Sequence, residues 1–252
     1  MNWVNDEVWT PVGGIGQALP IQDSATVIAQ EQMMIVDPRV IGYAAFATTI
    51  FTLGTAYAGW FGMRQTEIAS VIPVALIFGG IGLFLTGMWS FRRGDVLTTS
   101  VFTIFSTYFA AWSLYQWMSL VHLLPGGGSA TGSAHVFGIF TLMFALIAAY
   151  LAVAALPHNP LLTIMLVGFA WALVFNAINA FTGGRTTLLA IGGYGALVAA
   201  VFAFYLSAAV ILNSVTQRQV LPIHTIARGR TGTPNMRRQP RPSSPSAPGT
   251  ER

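Results

Sequence analysis

The sequence predicts an all-α integral membrane protein whose protomer has six transmembrane helices, and two observations carry that prediction. Hydrophobic residues make up 54% of the 252 and charged residues 8%, a composition far from the roughly 25% charge of soluble domains. Between residues 40 and 212 the only Asp, Glu or Arg side chains are Arg64, Glu67, Arg92, Arg93, Asp95 and Arg185. Each stands at or beyond the end of an apolar run near the length a bilayer demands, about 20 residues.

The runs follow in order. Residues 40–61 come after Asp37, Pro38 and Arg39 and end beside Trp60, an interfacial type of side chain. Residues 69–91 carry Gly79, Gly80, Gly82 and Gly87, then break at Ser90-Phe91-Arg92-Arg93-Gly94-Asp95. Between lipid-embedded helices there is little hydrophobic drive, so glycines serve close packing by default. Residues 101–124 hold hydroxyls and aromatic rings, and residues 134–156, 161–181 and 187–212 complete the set. Runs of 21 to 26 residues span roughly 30 to 40 Å as helix, enough to cross with some tilt.

Six crossings put both termini on one side. Arg39, Arg92, Arg93, Arg218, Arg228 and Arg230 lie on that side, against Arg64 and Arg185 on the other, so the termini are predicted cytoplasmic. The external connection 125–133 (PGGGSATGS) reads as a flexible loop and residues 157–160 (PHNP) as a tight turn. Flanking the domain at 37–223 are two tails. Residues 1–36, with Asp6, Glu7, Asp23 and Glu31, show neither the basic nor the apolar region of a cleaved signal peptide. Residues 224–252 are Arg, Pro and Ser-rich, a composition that buries no core and predicts disorder. That tail is read as solvated, with its Arg side chains available to anionic membrane lipid.

Several function classes drop out. The net charge of +4 comes from 12 basic residues against 8 acidic, and the excess concentrates in the last 35 residues, so no nucleic-acid surface is expected. The chain has no Cys, which removes thiolate chemistry and Cys-based metal sites. His122, His135, His158 and His224 show no metal-ligand spacing, and the spans offer no Ser-His-Asp or Ser-Lys set. Neither an enzyme nor a bound metal or cofactor is expected. No carboxylate or Arg falls at mid-membrane depth, where a buried proton relay would show one. What remains there is uncharged polarity: Thr48 and Thr49; Thr103, Ser106, Thr107, Tyr108, Ser113, Tyr115 and Gln116; Asn176 and Asn179. Single Ser and Thr residues usually bond back to their own helix. Asn176 and Asn179 are three apart and share a helix face, where they either line a path or join helices.

Phe78-Gly79-Gly80-Ile81-Gly82, Leu85 to Asp95 (LTGMWSFRRGD) and Val101 to Ser106 (VFTIFS) together resemble the central signature of the acetate uptake transporter family, the bacterial succinate-acetate permeases and fungal acetate permeases. Asp37-Pro38-Arg39-Val40-Ile41-Gly42 stands where that family has its leading motif, with Thr48 and Thr49 following. Tyr205-Leu206 and residues 220–223 (VLPI) resemble its closing segment. The chain departs from the pattern at Asp37 and Val40, and at Leu83 for a family Gln, Ser90 for a Glu, Asp95 for an Asn and Phe105 for a Tyr.

The resemblance implies a six-helix protomer in a ring homohexamer, each protomer with its own path for acetate or succinate. It implies a hydrophobic constriction at Phe46 and Phe105 with a partner near residues 166–169, flanked by Thr103 and Ser106, and it matches Asn179 to a family Asn. The implied activity is proton-coupled transport of acetate or a similar short carboxylate across the cell membrane. A passive channel for small monocarboxylates, other anions or ammonia needs the same residues, and a membrane scaffold without transport is a third class.

Overall fold

A computed structural model describes residues 37–62, 64–124 and 131–223. The predicted tails 1–36 and 224–252 lie outside the described residues, as does most of the predicted loop 125–133. The described residues form helices and no strand. In hydrocarbon the backbone must satisfy its own polar groups, and a helix does so within one segment.

Helix α1 (Arg39–Ala58) starts at Pro38, whose carbonyl accepts from the amides of Ile41 (3.1 Å) and Gly42 (3.2 Å). It stops three residues short of the predicted end at 61. Gly59 adopts a left-handed φ of 72° and its amide returns to the carbonyls of Thr55 and Ala56, a glycine C-terminal cap. Trp60 therefore follows the helix rather than closing it.

The second run begins earlier than the predicted 69 and is not one regular helix. α2 (Arg64–Val74) contains Pro73, a π-helical segment π1 occupies Ala75–Gly82, and α3 (Leu83–Arg92) completes the crossing. Pro73 offers no amide to the ladder. The wider hydrogen-bonding of π1 begins two residues later and continues through Gly79, Gly80 and Gly82.

The Arg92-to-Asp95 turn is built by Gly94 at φ 71° and by Asp95 capping α4 (Val96–Leu120): its carboxylate accepts from the Thr98 amide at 3.1 Å and the Thr98 hydroxyl at 2.6 Å. Asp95, read from sequence as a change in the recognition motif, thus has a local structural task. The helix starts five residues before the predicted 101 because the cap sets its start, and it ends at Leu120.

α5 (Thr131–Ala155) follows. α6 (Pro160–Phe181) is capped by Asn159, with Pro160 in the first turn, where a missing amide costs nothing. α7 (Thr186–Thr216) overruns the predicted 212. Asn213 lies in the added turn and clasps the closing segment, accepting from Val220 and Leu221 and donating to the Leu221 carbonyl.

Among the described residues, five stretches are long and apolar enough to cross a membrane: Arg39–Ala58, Thr66–Arg92, Gly132–Ala155, Pro160–Phe181 and Thr186–Thr216. α4 matches them in length but its Thr, Ser, Tyr and Gln side chains make it more polar.

Packing follows the small residues. α1 lies chiefly along α7, α7 along α6, and α6 along α5, while α4 packs on α3 and π1. A Cβ at Gly193 would stand 2.8 Å from the Gly54 carbonyl, so these two glycines set the α1–α7 approach. The predicted packing glycines divide. A Cβ on Gly79 would meet the Phe109 side chain at 2.8 Å and one on Gly87 would meet the Thr103 amide at 3.0 Å, but at Gly80 and Gly82 the nearest atoms lie at an ordinary 3.5 Å.

Candidate functional site

The centre of the bundle is aromatic. Phe46 on α1, Phe105 on α4 and Phe169 on α6 are each 1% exposed or less. Their ring centroids stand 6.1 Å (Phe46–Phe105), 5.1 Å (Phe46–Phe169) and 4.9 Å (Phe105–Phe169) apart, and the two contacts to Phe169 are edge-to-face, the favoured geometry for ring quadrupoles. Phe109 joins the group at 6.0 Å from Phe46 and 5.7 Å from Phe169. Phe46 and Phe105 are brought together as expected from the resemblance. Phe169 falls within the predicted stretch 166–169, and Phe109 was not assigned to the group.

The hydroxyls expected to flank these rings behave differently from one another. Thr48 donates to the Ala44 carbonyl at 2.9 Å, Thr49 to Ala45 at 2.8 Å and Ser106 to Thr103 at 2.6 Å, so each is satisfied by its own helix. The Thr103 hydroxyl is buried without a hydrogen-bond partner, as are those of Ser90 and Thr99. Buried polar atoms of this kind ordinarily hold water or ligand. In the leading motif, Pro38 starts α1 directly after Asp37, and Gly42 leaves room for the Phe102 ring and the Thr86 methyl, each only 2.6 Å from where a Cβ would be.

Asn176 and Asn179 part company as well. The Asn176 amide donates to the Tyr57 hydroxyl at 3.2 Å, and the Trp112 indole donates to the same oxygen at 2.9 Å. The Asn179 side-chain oxygen is buried and unpartnered. Sequence reasoning missed both Tyr57 and Trp112. Their signal was position: Tyr57, Trp112 and Asn176 follow Phe46, Phe105 and Phe169 by 11, 7 and 7 residues. The same three helices therefore meet twice, at levels separated by roughly 10 to 16 Å at 1.5 Å per residue.

Among the described residues every buried polar side chain besides Tyr43, Tyr57, Tyr108 and Trp112 is a Thr or Ser, and no charged residue is buried as a whole, although one Glu67 carboxylate oxygen is. No group of His, Asp or Glu suited to a metal occurs among them either. Apolar helices of crossing length around an uncharged interior define a multi-pass membrane protein.

The model of the GPR1/FUN34/yaaH family matches residues 22–227, and the chain belongs to that family. It is 20% identical over 192 residues to the succinate-acetate/proton symporter SatP of Escherichia coli K12, covering 75% of this chain and 95% of SatP. An uncharacterized protein of Methanothermobacter thermautotrophicus is 23% identical over 198 residues, 74% of this chain and 90% of that protein. The fold matches the solved structure of the bacterial acetate channel SatP with a TM-score of 0.66 at 18% identity, over 75% of this chain and 99% of the other. The characterised relatives are thus named a symporter and a channel, neither of them an enzyme.

Proposed function

We propose that the chain carries acetate or a similar short carboxylate, succinate included, across the cell membrane together with a proton. The observation that supports this best is the interlock of Phe46, Phe105 and Phe169 from three helices, in a chain related to a succinate-acetate/proton symporter. In this reading α4 is the sixth crossing helix, with Phe102, Phe105, Tyr108, Phe109 and Trp112 turned to protein rather than lipid. Both termini are cytoplasmic, residues 1–36 and 224–252 are tails, and six protomers form a ring, each with its own path.

The aromatic cluster is the constriction. With rings in contact a hydrated anion has no passage, so a solute crosses only when the rings part and its water is replaced. Thr48, Thr103, Ser106, Asn176 and Asn179 line the path, and the Thr103 hydroxyl and Asn179 amide, whose buried oxygens have no hydrogen-bond partner, take over from that water, as uncharged groups do in selective pores. Asp37, Pro38 and Gly42 fix the first helix. An inside-negative membrane opposes one anionic charge by about 2.3 kcal/mol per 100 mV, so accumulation requires a co-moving cation. Among the described residues the Glu67 carboxylate has a buried oxygen, but it stands in the first turn of α2, at the end of a crossing; in this reading the proton travels on the substrate, which passes the rings as the neutral acid or as a proton-paired anion.

Uptake of radiolabelled acetate and succinate into proteoliposomes with an imposed pH gradient tests this. Accumulation against the acetate gradient that an uncoupler collapses is expected. Uptake carrying negative current inward without proton movement contradicts the coupling. Uptake that only equilibrates and ignores the uncoupler supports the second reading, a passive channel, which the description of the solved relative as a channel favours.

A further inference from the structure

The π-helical segment π1 (Ala75–Gly82) stands behind the phenylalanine level, and packing accounts for only some of its glycines. Gly79 faces both neighbouring helices. A Cβ there would lie 2.8 Å from Cβ and Cγ of Phe109, the root of the side chain whose ring reaches Phe46 and Phe169, and 2.9 Å from the Thr49 methyl. Gly80 and Gly82 are different: a Cβ would stand 3.5 Å from the Ala110 Cβ at the first and 3.5 Å from the Ala45 Cβ at the second, ordinary contact that alanine would fill. Glycine within a helix is unfavourable relative to alanine because it loses more backbone freedom, so these two positions need a reason that the observed packing does not supply. The hydrogen bonding of π1 supplies one. A π turn holds an extra residue in the ladder, a rare arrangement found mostly at functional sites, and Pro73, two residues before it, brings no amide hydrogen to that ladder. On the outer side of π1, Ile77, Phe78 and Ile81 are about half exposed, so the segment is not enclosed there.

We propose that π1 is the moving wall of the constriction: its wide turn migrates one residue toward Pro73 while a solute passes, and Gly80 takes the place that Gly79 holds at rest. The inference rests on the transport reading above and adds the element that moves. α3 holds the far end of the run, with Leu83, Thr86, Gly87 and Ser90 all buried, so the segment cannot rotate as a whole and the extra residue can only slide along it. Sliding toward Pro73 shifts the residues it passes by one position, a turn of about 100° and a rise of about 1.5 Å. Each contact then passes to the next residue. Glycine replaces glycine at the root of Phe109, and Ile81 enters the Gly80 position, where the 3.5 Å spacing admits its Cβ. Sliding the other way would set Phe78 against Phe109, where not even a Cβ fits. With the wide turn moved off its level, Phe109 gains the room into which the rings part, whereas α1 is fixed from behind by the contact of Gly54 with Gly193 on α7.

The test measures initial acetate flux into liposomes and thermal unfolding, both on the full chain. Gly80→Ala adds a methyl that fits the resting contacts, so a purely structural role for this glycine leaves flux unchanged. A migrating turn instead brings that methyl to the root of Phe109. Flux is then expected to fall by roughly 5- to 150-fold, the range for one overpacked contact, with a melting temperature equal to that of wild type or higher. Gly82→Ala is the control, since residue 82 moves to the exposed place of Ile81, and its flux is expected to stay at the wild-type level. Unchanged flux in Gly80→Ala, a lowered melting temperature in Gly80→Ala, or an equal loss of flux in Gly82→Ala overturns the moving wall, while wild-type acetate flux keeps the transport reading intact. Wild-type liposomes no more permeable to acetate than empty ones overturn both.

Discussion

The two levels at which α1, α4 and α6 meet use opposite physics. At Phe46, Phe105 and Phe169 the contact is ring on ring, held by shape and dispersion with no atom that needs a partner. At Tyr57, Trp112 and Asn176 it is a pair of hydrogen bonds converging on one oxygen, where each atom removed leaves another unsatisfied. On the proposed reading the first level excludes by volume and the second by pairing. Two such levels, neither holding a charged side chain, would still let the protein discriminate, provided the solute meets both.

Truncation should separate the levels most clearly. Phe169→Ala removes the ring touching Phe46, Phe105, Phe109 and Tyr108; a buried aromatic deletion of this kind costs roughly 3 to 5 kcal/mol. It is expected to lower the melting temperature in detergent and to raise the permeation of larger carboxylates relative to acetate, read from their flux ratio. An unchanged ratio breaks the volume half of the comparison. Gly42→Val acts on the same level from behind, since the Phe102 ring lies 2.6 Å from the Cβ position; a destabilisation of about 1 to 3 kcal/mol is expected by thermal unfolding. Tyr57→Phe addresses the polar level alone, leaving the Trp112 and Asn176 donors unmatched at about 1 to 3 kcal/mol, with the flux ratio among carboxylates of different size unchanged. Smallest is Asp95→Ala, distant from both levels. It loses the α4 cap, worth about 1 kcal/mol, while half-saturation for acetate stays as in wild type.

Much of the scaffold was legible because a bilayer leaves few options. Apolar runs bounded by charge became helices, and Gly59 and Asp95 moved the boundaries through local caps that a hydropathy pattern does not register. The π-helical stretch was not foreseen, although Pro73 followed by three glycines within ten residues marks where a regular ladder weakens. At the site, Phe46 and Phe105 came from the family resemblance rather than from periodicity, which cannot tell a packed Phe from a lipid-facing one. Tyr57 escaped because it sits near the end of its run, where an aromatic residue reads as an interfacial anchor. Trp112 carries no polar signal until its indole is seen to have a partner 55 residues away. Thr48 and Ser106 show the converse, since their hydroxyls turn back to their own helix.

The central claim is that a short carboxylate passes the level of Phe46, Phe105 and Phe169. The chain contains no cysteine, so a single Phe105→Cys substitution gives a unique thiol at that level. Acetate flux into liposomes is then measured before and after treatment with a small anionic methanethiosulfonate reagent. Modification is expected to block the flux, and acetate is expected to slow the modification. A fully modified protein that conducts acetate at its original rate would contradict the account.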